Sequence, residues 1–393
     1  MPMSYDRDAK LAEIVALAKR LIRNAAVTVG AELNHAGIRA SYSLLAERLE
    51  QAGLNVVLFQ QGSRFPAIYC DAGPRGAPPR GDLLFAGHFD VVAPQHRSQL
   101  EPAVDGDWLR GRGAADMLTV VATLATFFCD LAQKLGGDRP EAPRLGMILV
   151  GNEEDGETEP WGTPFVLQEL EARHGYRPTC LVAGERTGEG AVVAGKVETR
   201  NRGLVRVELE STGEVGHTGM TKRTAISALL TLYRELEDAL ATSEPGPWRT
   251  TSGLSYVFGG VEGNFNISAR RAVAGFEARP AFAADTRTIR QVIGTRAPEL
   301  GIEARYRSCE DSVEVDQADA RVQRIVAAAS AISGVPPADL LGTGKLAGTQ
   351  ARFAPPGCAP VVWGQAGVGP HAAHEAHYLP SVLPWYEMLW ALA

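Results

Sequence analysis

LLFAGHFDVVAPQHRSQLEPAVDGDWLRGRGAADML, residues 83–118, is the stretch of this 393-residue chain that decides its fold. It begins with an apolar run typical of a buried strand, and His88 and Asp90 stand where that run gives way to loop. Side chains two apart on a strand share a face, so an imidazole at 88 can bind a metal while the carboxylate at 90 accepts the proton of its other nitrogen. The stretch therefore predicts a metal ligand and the residue that orients it.

More carboxylates stand at the ends of predicted elements. Small residues in 111–115 allow a tight turn that places a carboxylate at the start of the next helix, and apolar runs end shortly before three others. These carboxylates are Asp116, Glu153, Glu154 and Glu185. Adjacent carboxylates on a loop can point in different directions, so one can bind a metal while its neighbour takes a proton from water. A metal site at the carboxyl ends of strands is the resulting hypothesis.

Two patterns of hydrophobicity divide the chain. Continuous apolar runs that alternate with helical patterns predict an α/β sheet covered by helices on both sides. From about residue 201 the pattern changes to near-strict alternation, and the elements follow the β-α-β-β-α-β order of a ferredoxin-like domain. We therefore expect a discontinuous α/β domain of residues 1–200 and 311–393 with a mixed sheet, and an inserted α+β domain of residues 201–310.

Composition limits the classes of partner. The chain is 45% hydrophobic and 22% charged, which is typical of a globular protein, and its net charge of −7 gives no basic stripe for nucleic acid or an anionic membrane. No signal peptide is recognisable and no apolar run approaches the roughly 20 residues of a membrane span, so we expect a cytoplasmic protein. Five scattered cysteines without a C-x-x-C pair argue against disulfides or thiolate zinc.

The order of four motifs resembles a known family. They are G-H-F-D-V-V at 87–92, G-R-G-A-A-D-M at 111–117, N-E-E-D-G at 152–156 and A-G-E-R at 183–186. The family is that of the metallopeptidases containing acetylornithine deacetylase, succinyl-diaminopimelate desuccinylase, aminoacylase and the glutamate carboxypeptidases. The resemblance implies a zinc-exopeptidase-like catalytic domain with two zinc ions, which cobalt or manganese can replace, and an inserted lid that forms a homodimer.

The resemblance also implies a role for each motif residue. His88 and Glu185 would bind one metal, and Glu154 with a late histidine would bind the other. Asp116 would bridge the two metals, and the peptide bond after it would be cis. Glu153 would be the general base, and Asp90 would be the partner that orients His88.

The late histidine is expected in G-P-H-A-A-H-E-A-H, residues 369–377. Family members typically read H-x-x-N-E-x-V there, so His371 is the implied ligand, while His374 and His377 depart from the pattern. An H-E-x-x-H zinc site is excluded because His374 and His377 are one residue too close. Similarly, Asp116 stands where a dinucleotide-binding G-x-G-x-x-G would need its third glycine.

Substrate contacts are implied by weaker matches. His217 in G-H-T-G resembles the histidine that reaches the scissile carbonyl, often from the partner subunit, and Asn266 and Arg279 match substrate-facing lid positions. Thr349 and Arg352 in G-T-Q-A-R-F, where the family has Asp in place of Gln, are expected to bind a substrate carboxylate.

Three functions follow from the resemblance. The first is a di-zinc amidohydrolase acting on an N-acyl amino acid, of the N-succinyl-diaminopimelate or N-acetyl type. The second is a metallo-dipeptidase or carboxypeptidase, and the third is an inactive binding protein on the same fold. Desuccinylases usually carry R-R-G-S where this chain has N-R-G-L at 201–204, so the acyl group stays open.

Overall fold

The computed structural model describes residues 5–28, 33–60, 65–136, 142–157, 161–221, 223–241 and 246–393. The chain forms two compact units: Met1–Thr199, Glu314–Thr343 and Thr349–Ala393 belong to the first, and Arg200–Val313 with Gly344–Gly348 to the second. The segment Gly344–Gly348 was expected in the catalytic domain. It joins the second unit because Asn201 donates a hydrogen bond to the carbonyl oxygen of Lys345 (3.2 Å) and Arg202 to that of Leu346 (2.6 Å).

The described residues contain helices and strands with the following bounds. The helices are α1 (Arg7–Asn24), α2 (His35–Gln51), α3 (Thr119–Leu135), α4 (Gly162–His174), α5 (Ala225–Leu240), α6 (Ala283–Glu299), α7 (Ala320–Ser333), α8 (Pro337–Leu340) and α9 (Val382–Leu392). The strands are β1 (Asn55–Phe59), β2 (Ala67–Asp71), β3 (Leu83–His88), β4 (Ala103–Asp105), β5 (Trp108–Arg110), β6 (Leu145–Val150), β7 (Cys180–Ala183), β8 (Gly188–Glu189), β9 (Arg200–Asn201), β10 (Leu204–Thr212), β11 (Thr251–Gly259), β12 (Arg271–Arg279), β13 (Ile302–Glu310), β14 (Val313–Glu314), β15 (Ala359–Val362), β16 (Ala366–Val368) and β17 (Ala376–Tyr378).

The main sheet of the first unit has the strand order β1-β2-β6-β3-β7-β15. Strands β6, β3, β7 and β15 run parallel, whereas β1, β2 and β6 pair antiparallel. Successive side chains point to opposite faces of a strand, and both faces are buried here. Phe85 packs in the core that contains α1, α2, α3, α7 and α9, while Leu84 packs in the core beneath α4. This confirms the predicted mixed sheet flanked by helices.

The helix α3 corrects one expectation about apolar runs. Together with the preceding turn it forms a 22-residue stretch, Ala114–Leu135, that is long and apolar enough to cross a membrane. However, 83% of its most apolar window is buried inside the protein. Its aromatic residues pack on other helices; for example, the ring of Phe127 lies 5.2 Å from that of Trp390. The length and hydropathy of α3 are therefore explained by its place in the core.

A second sheet in the first unit was not predicted. It has the order β4-β5-β17-β16-β8, and its strands are two or three residues long. Strands this short show no recognisable period-two pattern, and β17 comes from near the end of the chain to pair with β5. This sheet links the segment before Asp116 to the segment after His371.

The second unit is an antiparallel sheet, β11-β12-β10-β13, with two helices. The observed order β10-α5-β11-β12-α6-β13 is the predicted β-α-β-β-α-β arrangement. Buried residues of α5 and α6 pack on one face of the sheet, where they form a core with Val207 and Phe276. Other positions of these strands carry charged side chains that form ion pairs. Arg307, for example, donates hydrogen bonds to both carboxylate oxygens of Glu208.

The one-sided packing of α5 can be tested with two leucines on that helix. Leu232 is 0% exposed and Leu230 is 39% exposed. Because only Leu232 faces the sheet, Leu232→Ala is expected to lower the free energy of unfolding by about 2–5 kcal/mol. Leu230→Ala is the control, with a change below about 1 kcal/mol. Urea unfolding measures both, and equal losses would contradict the assigned faces.

Candidate metal centre

Three parallel strands bring three of the five predicted ligands, His88, Glu154 and Glu185, to one edge of the main sheet. Strand β3 ends at His88, β6 ends just before Glu153 and Glu154, and β7 ends two residues before Glu185. Because β6, β3 and β7 are neighbours in the sheet and run in the same direction, their carboxyl ends lie side by side. The edge of the sheet therefore gathers an imidazole and several carboxylates in a small volume.

His88 is the most deeply buried of these side chains, with 0% exposure. Its Nδ1 lies 3.0 Å from the carbonyl oxygen of Asp90 and 3.4 Å from a carboxylate oxygen of the same residue. Its Nε2 lies 3.2 Å from Asp116 and 3.4 Å from Glu185. With the proton on Nδ1 facing Asp90, the lone pair of Nε2 is directed at the space between two carboxylates, which is the orientation of a metal-binding imidazole.

A second group of donor atoms contains Asp116, Glu154 and His371. The Nε2 atom of His371 lies 3.1 Å from Glu154 and 3.4 Å from Oδ2 of Asp116. The His371 side chain is 54% exposed, so this group is more open than the one around the buried His88. In each of the two groups the donor atoms lie within 4.8 Å of one another.

Asp116 belongs to both groups. Its Oδ1 faces His88 and its Oδ2 faces His371, so each oxygen serves a different group. The peptide bond between Asp116 and Met117 is cis, as the resemblance implied. A carboxylate with one oxygen on each side can bridge two cations.

The electrostatics of the cluster indicate surplus negative charge. Burial and the nearby charge of Asp116 raise the pKa of Glu154 to about 8 and also raise the pKa of Glu185. Hydrogen bonds to Asp116 and Glu154 raise the pKa of His371 to about 11. Burial acts to lower the pKa of His88, but hydrogen bonds to Asp116, Asp90 and Glu185 raise it well above its ordinary value.

Two divalent cations fit this donor set. The raised pKa values of Glu154, Glu185 and the two imidazoles reflect a demand for positive charge, which a cation satisfies as a proton does. Imidazole nitrogens and carboxylate oxygens are ligands that zinc and related metals accept, and the set divides into two groups of three that share Asp116. The chemistry of the donors thus matches the predicted dinuclear site.

Asp90 does more than orient His88. It is buried, and its two carboxylate oxygens accept hydrogen bonds from the backbone N–H groups of Glu153 (3.1 Å) and Glu154 (3.0 Å). The hydroxyl of Thr28 donates a third, at 2.7 Å. Asp90 therefore fixes both the imidazole of His88 and the start of the acidic segment 153–157. The contribution of Thr28 had no signal in the sequence.

Glu375 holds the backbone of the Asp116 turn. Its carboxylate accepts hydrogen bonds from the N–H groups of Gly113 (3.1 Å), Ala115 (3.0 Å) and Asp116 (3.1 Å). Burial and the nearby charge of Asp116 raise the pKa of Glu375 to about 7, while Arg112 acts to lower it. The sequence identified Glu375 only as part of a motif. The structure gives it the task of shaping the loop that carries the shared ligand.

Arg112 connects this turn to the late histidine. It is 1% exposed, its Nη1 lies 2.6 Å from Glu375 and its Nη2 donates to the carbonyl oxygen of His371 at 3.2 Å. Sequence reasoning missed this residue because the turn was interpreted through its small residues. The available signal was an arginine between Gly111 and Gly113, in a loop whose other residues are small.

Arg352 and Thr349 lie inside the protein. The Arg352 side chain is 1% exposed, and its guanidinium lies 3.3 Å from Glu153 and 3.7 Å from Glu157. The hydroxyl of Thr349 accepts a hydrogen bond from the N–H of Ala351 at 3.2 Å. Burial raises the pKa of Glu157 to about 7, while Arg352 acts to lower it. Both predicted substrate contacts have partners within the protein, and binding of a substrate carboxylate stays a prediction for them.

The other predicted substrate contacts lie in the second unit. His217 and Asn266 are exposed and belong to two paired segments, in which His217 bridges to Ile267 and the N–H of Thr218 donates to the carbonyl oxygen of Asn266 at 3.1 Å. Arg279 forms an ion pair of 3.0 Å with Glu277. The second unit thus brings His217 and Asn266 together, and Arg279 lies apart from them on β12.

The buried Arg112–Glu375 pair predicts a large effect on stability. Arg112→Met leaves the Glu375 carboxylate buried without its cation and is expected to lower the free energy of unfolding by about 3–5 kcal/mol. Arg110→Met is the matched control, because Arg110 and its partner Asp105 are 50% and 70% exposed. Thermal unfolding compares the two variants. Adding Glu375→Gln to Arg112→Met should recover part of the loss, and equal melting temperatures for both single variants would contradict the assignment.

Comparison with known proteins gives consistent matches. The profile of peptidase family M20/M25/M40 matches residues 84–392. A succinyl-diaminopimelate desuccinylase from Methylobacillus flagellatus is 33% identical over 209 residues, which are 51% of this chain and 50% of that protein. The chain thus spans about half the length of the first curated relatives it matches.

Solved structures match over almost the whole chain. An M20 family metallo-carboxypeptidase from Sulfolobus solfataricus superposes with a TM-score of 0.74 at 14% identity, covering 97% of this chain and 98% of that one. A dinuclear metal-binding M20 peptidase from Bacillus subtilis gives a TM-score of 0.60 at 13% identity, covering 98% of each chain. At these identities the structural matches bear on the fold alone.

Proposed function

The chain belongs to peptidase family M20/M25/M40, and from that premise we propose that it is a metal-dependent amidohydrolase that removes the acyl group of an N-acyl amino acid. The observation that carries the proposal is the pair of donor groups that share Asp116, with Glu153 next to one of their members. The desuccinylase relatives support an N-acyl amino acid, of the N-succinyl-diaminopimelate or N-acetyl type, as substrate.

We assign the two groups to two zinc ions, for which cobalt or manganese can substitute. His88 and Glu185 would hold one ion, Glu154 and His371 would hold the other, and Asp116 would be shared between them. The structural neighbour from Bacillus subtilis is described as a dinuclear metal-binding peptidase, so this fold holds two ions in that protein. When bound, the ions supply the Lewis acidity that activates water and polarises the amide carbonyl.

The side chains of the protein perform the proton transfers. Asp90 holds the Nδ1 proton of His88 and so keeps Nε2 available as a ligand atom. Glu153 takes a proton from the attacking water and delivers it to the amide nitrogen as the C–N bond breaks, which yields a carboxylic acid and a free amine. The family resemblance gives His217 the role of donating a hydrogen bond to the carbonyl oxygen as that oxygen gains negative charge, and this role stays a prediction.

The contacts of Arg202 indicate which acyl group the protein accepts. In desuccinylases an arginine pair near this position would hold a succinyl carboxylate. Here the Arg202 guanidinium donates to the carbonyl oxygens of Leu346 (2.6 Å) and Arg249 (3.0 Å) and to the hydroxyl of Thr251 (3.2 Å). Three of the five N–H donors of this guanidinium are thus engaged by acceptors of the protein itself, which favours a small neutral acyl group such as acetyl.

A dipeptidase or carboxypeptidase is the second candidate function. It is compatible with the family, which is described as a peptidase family, and a neighbour with the same fold, from Sulfolobus solfataricus, is described as a metallo-carboxypeptidase. Both candidates need the same centre and differ in the group on the acyl side of the scissile bond. An inactive binding protein on this fold is disfavoured, because all five proposed ligands and the base are present.

Substitution of the base tests the reaction. Glu153→Gln keeps the size of the side chain but cannot accept the proton, so we expect kcat to fall by about 10²–10⁴-fold with bound metal unchanged. Asp155→Asn is the matched control, because Asp155 is exposed in the same segment and is expected to keep full activity. Retained turnover by Glu153→Gln would rule out its role as base.

A substrate panel separates the candidate functions with the same preparations. N-acetyl amino acids, N-succinyl amino acids and dipeptides are compared by kcat/KM with zinc, cobalt or manganese supplied. The Arg202 contacts predict higher kcat/KM for N-acetyl than for N-succinyl compounds. Faster cleavage of dipeptides would favour the peptidase, and no turnover of any compound by zinc-loaded protein would favour the inactive binding protein.

We further propose that two copies associate through the second unit. Strand β11 is at the edge of its sheet, and among the described residues it pairs with β12 alone. It exposes apolar side chains, of which Phe258 is 66% exposed and Val257 is 38% exposed. An edge strand with exposed apolar residues is a ready site for pairing with a second chain.

A charge at this edge tests the dimer. Sedimentation velocity is expected to give a dimer for the unaltered protein and a monomer for Phe258→Glu, because a buried unpaired charge opposes association. Val104→Glu is the control, since Val104 is 46% exposed in the first unit. A monomeric unaltered protein would contradict the proposal.

If His217 acts on the substrate of the partner subunit, the monomeric Phe258→Glu variant loses activity and retains its metal. Full activity of this monomer would show that His217 does not act in trans.

A further inference from the structure

Arg352 is a buried cation placed between two carboxylates. Its side chain is 1% exposed, its Nη1 lies 3.3 Å from Oε1 of Glu153, and its Nη2 lies 3.7 Å from Oε2 of Glu157. The two nitrogens of one planar guanidinium therefore face different acids. This geometry fixes the direction of both carboxylates relative to a single rigid group.

Glu157 is the immobile member of this trio. Its side chain is 0% exposed, and its Oε1 accepts a hydrogen bond of 2.7 Å from the N–H of Thr163. Gly162 packs so closely that a Cβ atom there would lie 2.8 Å from Cγ of Glu157. A carboxylate held by a backbone donor and by close packing cannot follow the guanidinium, so it anchors Arg352 in place.

Glu153 is the member with freedom to react. Its side chain is 12% exposed, and the contact with Arg352 engages Oε1. Its N–H is fixed by Asp90, but the side chain has three rotatable bonds beyond that point. A base must keep its oxygen within hydrogen-bond distance of the water that it deprotonates. A neighbouring group therefore has to restrict rotation of the Glu153 side chain.

We propose that Arg352 is a positioning residue for the base: anchored by Glu157, it holds Oε1 of Glu153 and leaves Oε2 directed at the water. The inference rests on the proposed role of Glu153 as base. It gives Arg352 a task in the chemical step, in contrast to the substrate-carboxylate contact expected from the sequence. The two tasks separate kinetically, because loss of a positioning group lowers kcat whereas loss of a substrate contact raises KM.

The test uses a charge-balanced variant, because Arg352→Met alone leaves Glu157 buried without its cation. Arg352→Met combined with Glu157→Gln removes both charges at nearly constant volume. Gln350→Met is the control: Gln350 lies in the same short turn, is fully buried, and its amide forms no hydrogen bond within the described residues. The control is expected to match the unaltered protein, which separates loss of the charges from disturbance of the turn.

The variants are assayed as zinc-loaded protein on the best compound of the substrate panel. We expect the charge-balanced variant to lower kcat about 10- to 100-fold, with KM within about threefold and metal content unchanged. The Arg352→Lys variant is expected to have a kcat between those of the charge-balanced variant and the unaltered protein. In a Glu153→Gln background the same changes should have no further effect, because Arg352 acts through Glu153. A raised KM with unchanged kcat, or additive effects in that background, would overturn the proposal.

A crystal structure of the charge-balanced variant gives a readout that does not depend on turnover. The Glu153 carboxylate is expected in a new or divided conformation, with the metal ligands unmoved; an unchanged Glu153 would overturn the proposal. Retained activity of Glu153→Gln would instead refute the proposed base. An inactive Glu153→Gln beside a fully active charge-balanced variant would refute the positioning role alone.

Discussion

Negative charge collected at one edge of a parallel sheet is the constraint on which the rest of the first unit depends. Strands β6, β3 and β7 end side by side, so the residues that follow them are forced together whatever their charge. Glu154 and Glu185 follow β6 and β7, and the turn before α3 adds Asp116, whose carboxylate lies within 4.8 Å of donor atoms of both. Repulsion between buried carboxylates costs free energy that only cations, protons or hydrogen-bond donors can offset. Much of the surrounding structure is organised to supply them.

Backbone N–H groups meet part of this demand. Asp90 and Glu375 are themselves buried carboxylates, and five N–H groups of the ligand-bearing loops point at them. The hydrogen bonds stabilise the two anions and, at the same time, fix the loops that carry Glu154 and Asp116. Each supporting carboxylate is therefore compensated by the segment it positions, and this coupling makes the geometry of the site inseparable from its charge balance.

Sequence patterns predicted the parts of the site that depend on local structure. A strand is visible as an apolar run, and the residue after it lies at the sheet edge by geometry, which is why His88 and Glu185 were identified. Pairings between distant segments were not predictable in this way. Arg112 meets Glu375 across 263 positions, and the short strands β16 and β17 show no periodicity. For Arg352, the motif gave its identity, but only the fold could reveal which acids it contacts.

The split of the first unit around the second has a consequence for synthesis of the protein on the ribosome. Helix α9, Val382–Leu392, packs against α1, α3 and α7, and its Trp385 lies against Phe85 of β3. Until α9 emerges, a nascent chain exposes the apolar faces that this helix later covers. The second unit is a continuous stretch apart from Gly344–Gly348 and has its own core. It can therefore fold while the first unit still lacks α9, so the order of translation favours folding of the inserted unit first.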